Sequence, residues 1–185
     1  MSIEAVILAG GKSTRMGTDK GLLEINGKAM VKYLIDTISS LEMTLSISTS
    51  DKTYIKFGQP VITDQYSEIG PLGGLHSGLK NSKNNAVLIV SVDAPFLTKD
   101  CISKLIQHLN LNTIIISSCE ESRYPLIGIY PTKVLSGLER HIENGGRSVF
   151  GFLESQEVID VQFSNNQKDC FRNINSLEDL YRVRK

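Results

Sequence analysis

No excess of charge of either sign marks this 185-residue chain: 20 Lys plus Arg stand against 20 Asp plus Glu. That balance removes the bulk electrostatic drive for nucleic-acid or membrane-surface binding and leaves room only for a local basic site. Cysteine is scarce, and Cys101, Cys119 and Cys170 form no C-x-x-C pair. They provide neither a zinc spacing nor a disulfide framework, and read as buried apolar residues in a reducing cytosol. Long apolar runs are missing too. No stretch approaches the ~18–20 residues of a membrane span. The early run Ala5-Val6-Ile7-Leu8-Ala9 has no basic flank and is too short for a signal peptide. A cytoplasmic protein is expected. Repeats, low-complexity tracts and linkers are absent, and residues 1–185 fit one domain of the ordinary ~100–200 residues. With 41% hydrophobic and 22% charged residues, intrinsic disorder is excluded.

What is present is an alternation of short apolar runs and helical patterns. Residues 5–8, 45–49, 61–62, 86–92, 113–116, 126–130 and 158–163 read as strands, several of them continuously apolar. Met30, Val31, Leu34, Ile35, Ile38 and Leu41 keep to one helical face, as do Ile102, Leu105, Ile106 and Leu109, with Thr98 as N-cap. Pro131 is expected at the first position of a helix carrying Val134, Leu135, Leu138 and Ile142 and ending at Gly145-Gly146. Ser176 and Asp179 predict a capping box at the last helix. Residues 164–169 read as a polar loop. The pattern predicts an α/β fold with a mostly parallel sheet covered on both faces.

The segment after the first strand is Leu8-Ala9-Gly10-Gly11-Lys12-Ser13-Thr14-Arg15-Met16-Gly17-Thr18-Asp19-Lys20-Gly21-Leu22-Leu23. It concentrates glycines, hydroxyls and the cations Lys12, Arg15 and Lys20 at the carboxyl end of a strand, where open α/β sheets bind ligands. Glycines let backbone N–H groups approach phosphate oxygens, and cations neutralise them. The plain alternative is a surface turn with solvated charges. Two common phosphate loops are excluded by counting. Val6 stands at the place of the first Walker A glycine, and no two glycines in the chain are one residue apart, as G-x-G-x-x-G requires. The Asn26-Gly27 pair that follows is a hairpin-turn signal.

Leu8, Ala9, Gly10, Gly11, Ser13, Arg15, Met16, Gly17, Lys20, Leu22, Leu23 and Gly27 match a pattern that resembles the signature of the molybdenum cofactor guanylyltransferases. These belong to the wider nucleotidyltransferase superfamily. Ala29 replaces the usual proline. The resemblance continues in Asp64, in Gly70-Pro71-Leu72-Gly73-Gly74, which looks like the family's glycine loop, and in Ser91-Val92-Asp93-Ala94-Pro95, which looks like a metal-binding D-x-P. Tyr124-Pro125, Gly146-Arg147 and Asn173-Ile174-Asn175 resemble motifs of the molybdopterin side. Ser48 and Tyr124 depart from the pattern, standing where Asn and His are usual.

The resemblance implies a three-layer, Rossmann-like nucleotidyltransferase fold and a Mg2+-dependent transfer of GMP from GTP to the terminal phosphate of molybdopterin cofactor. It implies catalytic roles for Arg15, Lys20 and Asp93, with Asp93 on the metal. Nucleotide contacts fall to Leu8, Ala9, Gly10, Gly11, Lys20, Asp64, Gly70, Pro71, Leu72, Gly73 and Asp93. The second substrate falls to Tyr124, Pro125, Arg147, Asn173 and Asn175. Molybdoenzymes or cofactor-biosynthesis proteins are the implied protein partners; no nucleic acid and no membrane is expected. Each position has a plainer reading: Asp93 as a turn cap before Pro95, Asp64 as a solvated loop residue, and Lys20 as a surface lysine. His108 and His141 read as helix residues, and His76 as a residue beside the glycine loop. Two other functions compete. A sister enzyme transferring a cytidylyl group would use the same first loop, and a non-catalytic nucleotide-binding module could retain it. Preference among GTP, CTP and ATP separates the former. The Arg15, Lys20 and Asp93 trio argues against the latter.

Overall fold

Two side-chain periods, one of two residues and one near 3.6, divide the chain into strands and helices in the computed structural model, which describes residues 3–10, 19–66 and 68–183. In chain order the elements are β1 (Ile3–Leu8), β2 (Glu24–Ile25), β3 (Lys28–Ala29), α1 (Met30–Ser39), β4 (Leu45–Ser48) and β5 (Val61–Ile62). Then come α2 (Pro71–Asn81), β6 (Ala86–Ser91), α3 (Lys99–Gln107), β7 (Ile114–Cys119) and β8 (Ser122–Pro131). The last are α4 (Leu135–Glu143), α5 (Val149–Leu153), β9 (Val158–Phe163) and α6 (Leu177–Val183).

Seven strands form one sheet in the order β5-β4-β1-β6-β8-β7-β9. Only β8 runs against its neighbours β6 and β7, so the sheet is mostly parallel. Alternating side chains serve opposite layers. Ala5 and Ile7 of β1 join Leu34, Ile38, Leu88, Val90 and Leu105 on the face covered by α1 and α3. Val6 and Leu8 join Leu72, Leu75, Val87, Ile89, Leu138 and Phe152 on the face covered by α2, α4 and α5. Each Val, Leu, Ile or Phe among them, once fully buried, contributes ~1.5–3 kcal/mol of transfer free energy. The result is a three-layer α/β fold. Among the described residues, no helix is long and apolar enough to cross a membrane.

Several local signals form as expected. Asn26 (φ 51) and Gly27 (φ 78) make the left-handed turn between β2 and β3. Thr98 accepts from the Cys101 N–H at 3.3 Å, and Ser176 and Asp179 bond reciprocally through side chain and backbone.

Other expectations need correction. Gly70-Pro71-Leu72-Gly73-Gly74 is no loop; it opens α2, with Gly70 as N-cap and Pro71 in the first turn. Pro131 ends β8 and precedes a 3-10 turn (Thr132–Val134), so α4 starts only at Leu135. Residues 164–169 fall largely in a 3-10 helix (Asn165–Phe171). Strands β7 and β8 extend into a hairpin whose turn residue Glu120 has φ 53, with a register shift between Ile116 and Ser117. Glu carries none of the usual turn signals, and the irregularity breaks the two-residue period.

Candidate active site

Three strands end on one rung. Leu8 of β1 stands opposite Ser48 of β4 and Ser91 of β6. The bonds continue past the strand ends, Ala9 N–H donating to the Ser48 carbonyl at 2.9 Å and Val92 N–H to the Leu8 carbonyl at 3.0 Å. Gly10, Thr49 and Asp93 therefore leave the sheet side by side at its carboxyl edge.

On the α2 side, missing side chains let backbone and carboxylate meet. A Cβ at Gly10 would lie 3.4 Å from Asp64 Oδ2. At Gly74 it would lie 3.0 Å from Leu8 Cδ2 and 3.3 Å from Ser48 Oγ. At Gly73 it would run into the Tyr66 carbonyl. Asp64 accepts a short hydrogen bond from Ser48 Oγ. Burial pushes the Asp64 carboxyl above its ordinary value, while the Ser48 and Ser77 hydroxyls and His76 pull it down. The structure thus brings Leu8, Gly10, Ser48, Asp64 and the first turn of α2 together. The side chains of Leu8, Ala9 and Leu72 are themselves buried, so these residues meet a ligand through their backbone.

On the α3 side, Lys20 starts a 3-10 turn (Lys20–Leu22) capped by Asp19. Its ammonium donates to Asn175 Oδ1 at 2.8 Å. Ile174 N–H donates to the Asp93 carbonyl at 2.8 Å, which sets Asn173 and Asn175 beside the strand end that carries Asp93. The Asp93 carboxylate is half-buried and has no hydrogen-bond or ion-pair partner among the described residues. No group of three or more His, Cys, Asp or Glu able to hold a metal occurs among them either. One uncommitted carboxylate is nevertheless the donor set that suits Mg2+, a hard ion that keeps several waters and shares the rest of its shell with substrate phosphates. The residues fit such an ion and do not fit an all-protein metal cage.

Val90 of β6 pairs with Ile127 of β8 in antiparallel register, so Tyr124 and Pro125 lie beyond the carboxyl end of β6, on the same edge. The Tyr124 ring stacks on Phe171, centroids 5.0 Å apart, just before the segment carrying Asn173 and Asn175. Arg147 is tied differently. Its guanidinium donates to the Ile142 and Gly146 carbonyls at the end of α4. Gly11 and Arg15 lie outside the described residues. His76 is fully buried, with Nε2 3.2 Å from Glu139 Oε1 and its ring edge-on to Tyr66. It is a buried core residue of α2 itself. Two residues that sequence reasoning passed over, Asp19 and Tyr54, bond to each other beneath Lys20. The one available signal was an Asp immediately before the lysine at a 3-10 turn.

Gly10, the glycine-capped start of α2, a lysine and an aspartate uncommitted among the described residues, on the carboxyl edge of a three-layer sheet, define an enzyme that handles nucleotide phosphates. The MobA-like NTP transferase domain matches residues 5–158, and the chain belongs to that family of nucleotidyltransferases. It is 33% identical over 180 residues to the molybdenum cofactor guanylyltransferase of Vibrio atlanticus, covering 95% of this chain and 92% of that one. A solved structure of an Aquifex aeolicus protein superposes with a TM-score of 0.81 at 27% identity, covering 94% of this chain and 93% of that one. The molybdopterin-guanine dinucleotide biosynthesis protein A of Archaeoglobus fulgidus shares the fold, with a TM-score of 0.77 at 21% identity over 98% of this chain and 96% of that one.

Proposed function

We propose that the chain is one catalytic unit that works in the cytoplasm. It transfers GMP from GTP to the terminal phosphate of molybdopterin cofactor, giving the guanine dinucleotide cofactor and pyrophosphate. The observation that carries this reading is the bond from Lys20 to Asn175 beside Asp93. It joins a residue of the nucleotide loop to the segment assigned to the second substrate, so that two phosphate-bearing molecules meet at one carboxylate.

A phosphate monoester has its second pKa near ~6 and is largely ionised at neutral pH. It attacks the α-phosphorus of GTP without a protein base. That agrees with a site whose nearest histidine, His76, is buried and engaged with Glu139. The remaining work is electrostatic: two anions are brought together, and charge growing on the leaving pyrophosphate is stabilised. Lys20, Arg15 and the backbone N–H groups of Gly10 and Gly11 serve the triphosphate. Asp93 holds Mg2+, which neutralises phosphate charge when bound. Asp64 and the turn at Gly70, Pro71, Leu72 and Gly73 serve the guanosine end. Tyr124, Pro125, Arg147, Asn173 and Asn175 serve the molybdopterin end.

Equilibrium binding of GTP, CTP and ATP, with and without Mg2+, tests the nucleotide assignment. GTP is expected to bind at least tenfold more tightly than ATP, a difference of ~1.4 kcal/mol. Guanine presents an O6 acceptor and an N2 donor that adenine lacks, leaving guanine-reading groups unpaired with ATP. Equal affinities, or a preference for CTP, return the chain to a sister activity.

A further inference from the structure

We infer that Asp19 and Tyr54 form a positioning pair for Lys20, setting where its ammonium stands against the substrate phosphates. This rests on the phosphate-binding role proposed for Lys20. A single oxygen, Asp19 Oδ1, accepts both the Gly21 N–H at 2.9 Å and a short bond from the Tyr54 hydroxyl. Asp19 thereby fixes the backbone on both sides of Lys20. Tyr54 is fully buried, in a 3-10 helix (Lys52–Phe57) that Asp51 caps, and its ring packs beside Phe57. The donor therefore comes from a rigid, dry support, not from a mobile surface side chain.

Gly21 is the third part. A Cβ there would run into the Tyr54 hydroxyl and come within 2.8 Å of Val92 Cγ2. Only a residue without a side chain lets the turn settle onto the phenol and onto the residue before Asp93. The turn carrying the cation is thus seated against the strand end carrying the metal carboxylate. Burial raises the Asp19 carboxyl above its ordinary value, and the bonds from Tyr54 and Gly21 oppose that rise. The Tyr54 phenol is itself held well above its ordinary value by burial and by Asp19, so it remains a donor throughout the working range. A lysine side chain is long and has many rotamers. Fixing its Cα leaves fewer of them able to reach the phosphates, and misplacement by 1 Å can cost up to ~10² in rate.

The test is a double-mutant cycle on the full chain, read as kcat for guanylyl transfer and as Kd for GTP with Mg2+. Tyr54→Phe keeps the packed ring and removes the hydroxyl; it is expected to lower kcat roughly tenfold, within the range a misplaced group can cost. In a Lys20→Ala background the same change is expected to alter kcat by less than about twofold, because residues that act as a unit are non-additive. Asp19→Asn retains an Oδ1 acceptor and should restore most of the turnover that Asp19→Ala loses. Effects of Tyr54→Phe that multiply undiminished with Lys20→Ala would make the pair a merely structural element and overturn the inference. So would a Tyr54→Phe enzyme with wild-type kcat and Kd. If the wild-type protein binds nucleotide but transfers nothing, the proposed reaction fails while the same cycle on Kd still decides the role of the pair.

Discussion

Lys20 and Asp93 carry opposite charges, Lys20 bonding Asn175 and the Asp93 carbonyl receiving the neighbouring Ile174 N–H, and each invites a single substitution. Lys20→Ala is expected to lower kcat by roughly 10²–10³, the scale on which a preorganised charge-stabilising donor acts. Circular dichroism should not change, since among the described residues the ammonium bonds only the exposed Asn175 side chain. Turnover near wild type would return Lys20 to the solvated surface. Asp93→Asn is close to isosteric, and the backbone carbonyl that receives Ile174 N–H is untouched. The fold should therefore persist. What is lost is the negative charge proposed to anchor a hard divalent ion. Titration of kcat with Mg2+ is expected to show turnover falling further than GTP affinity, because the phosphate contacts proposed for the loop amides and Lys20 are untouched. Wild-type Mg2+ dependence in the variant would make Asp93 a turn residue.

At the scale of elements, α2 is the piece that sequence reading missed and packing explains. Its sequence Pro-Leu-Gly-Gly-Leu-His-Ser-Gly-Leu-Lys-Asn holds three glycines, which depress helix propensity. The same glycines let the helix lie close on the sheet, where a Cβ at Gly78 would stand 3.3 Å from Val6 Cγ2. Tertiary contact overrides the local preference. Gly73→Ala is expected to destabilise the protein by ~1–3 kcal/mol, the usual cost of forcing atoms into a packed site. The obstacle there is the Tyr66 carbonyl, which has no rotamer to give way. Urea unfolding measures this, and a variant with an unchanged midpoint would show that α2 can shift without cost. Signals confined to a few residues were legible beforehand: the Asn26-Gly27 turn rests on two residues that accept positive φ, and the Thr98 cap and the Ser176 box on a side chain bonding its own neighbourhood. The Glu120 hairpin was not, because Glu is no usual turn residue, and nor was the 3-10 helix after β9, whose Ser164–Gln167 cap lies in a polar stretch with no apolar period.

Across the whole molecule the two faces of the site come from distant parts of the chain. β1, β4 and α2 provide the glycine and Asp64 side, whereas the segment before α6 brings Asn173 and Asn175 to Asp93. Ile174 and Leu180 pack with Ile25 and Met30, which anchors that segment to the β2–β3 hairpin. Motif residues at strand ends were readable as a group, since the carboxyl edge of a parallel sheet collects them. Asp19 with Tyr54 was not, because their bond spans chain segments that no local pattern relates. The most direct measurement is product formation by the purified protein given molybdopterin cofactor, Mg2+ and either GTP or CTP. Pyrophosphate release matched by guanine dinucleotide cofactor is expected with GTP, with CTP supporting less than about a tenth of that rate, the ~1.4 kcal/mol of a tenfold preference. A CTP rate equal to or above the GTP rate, or GTP binding with no pyrophosphate released, would contradict the guanylyl-transfer assignment.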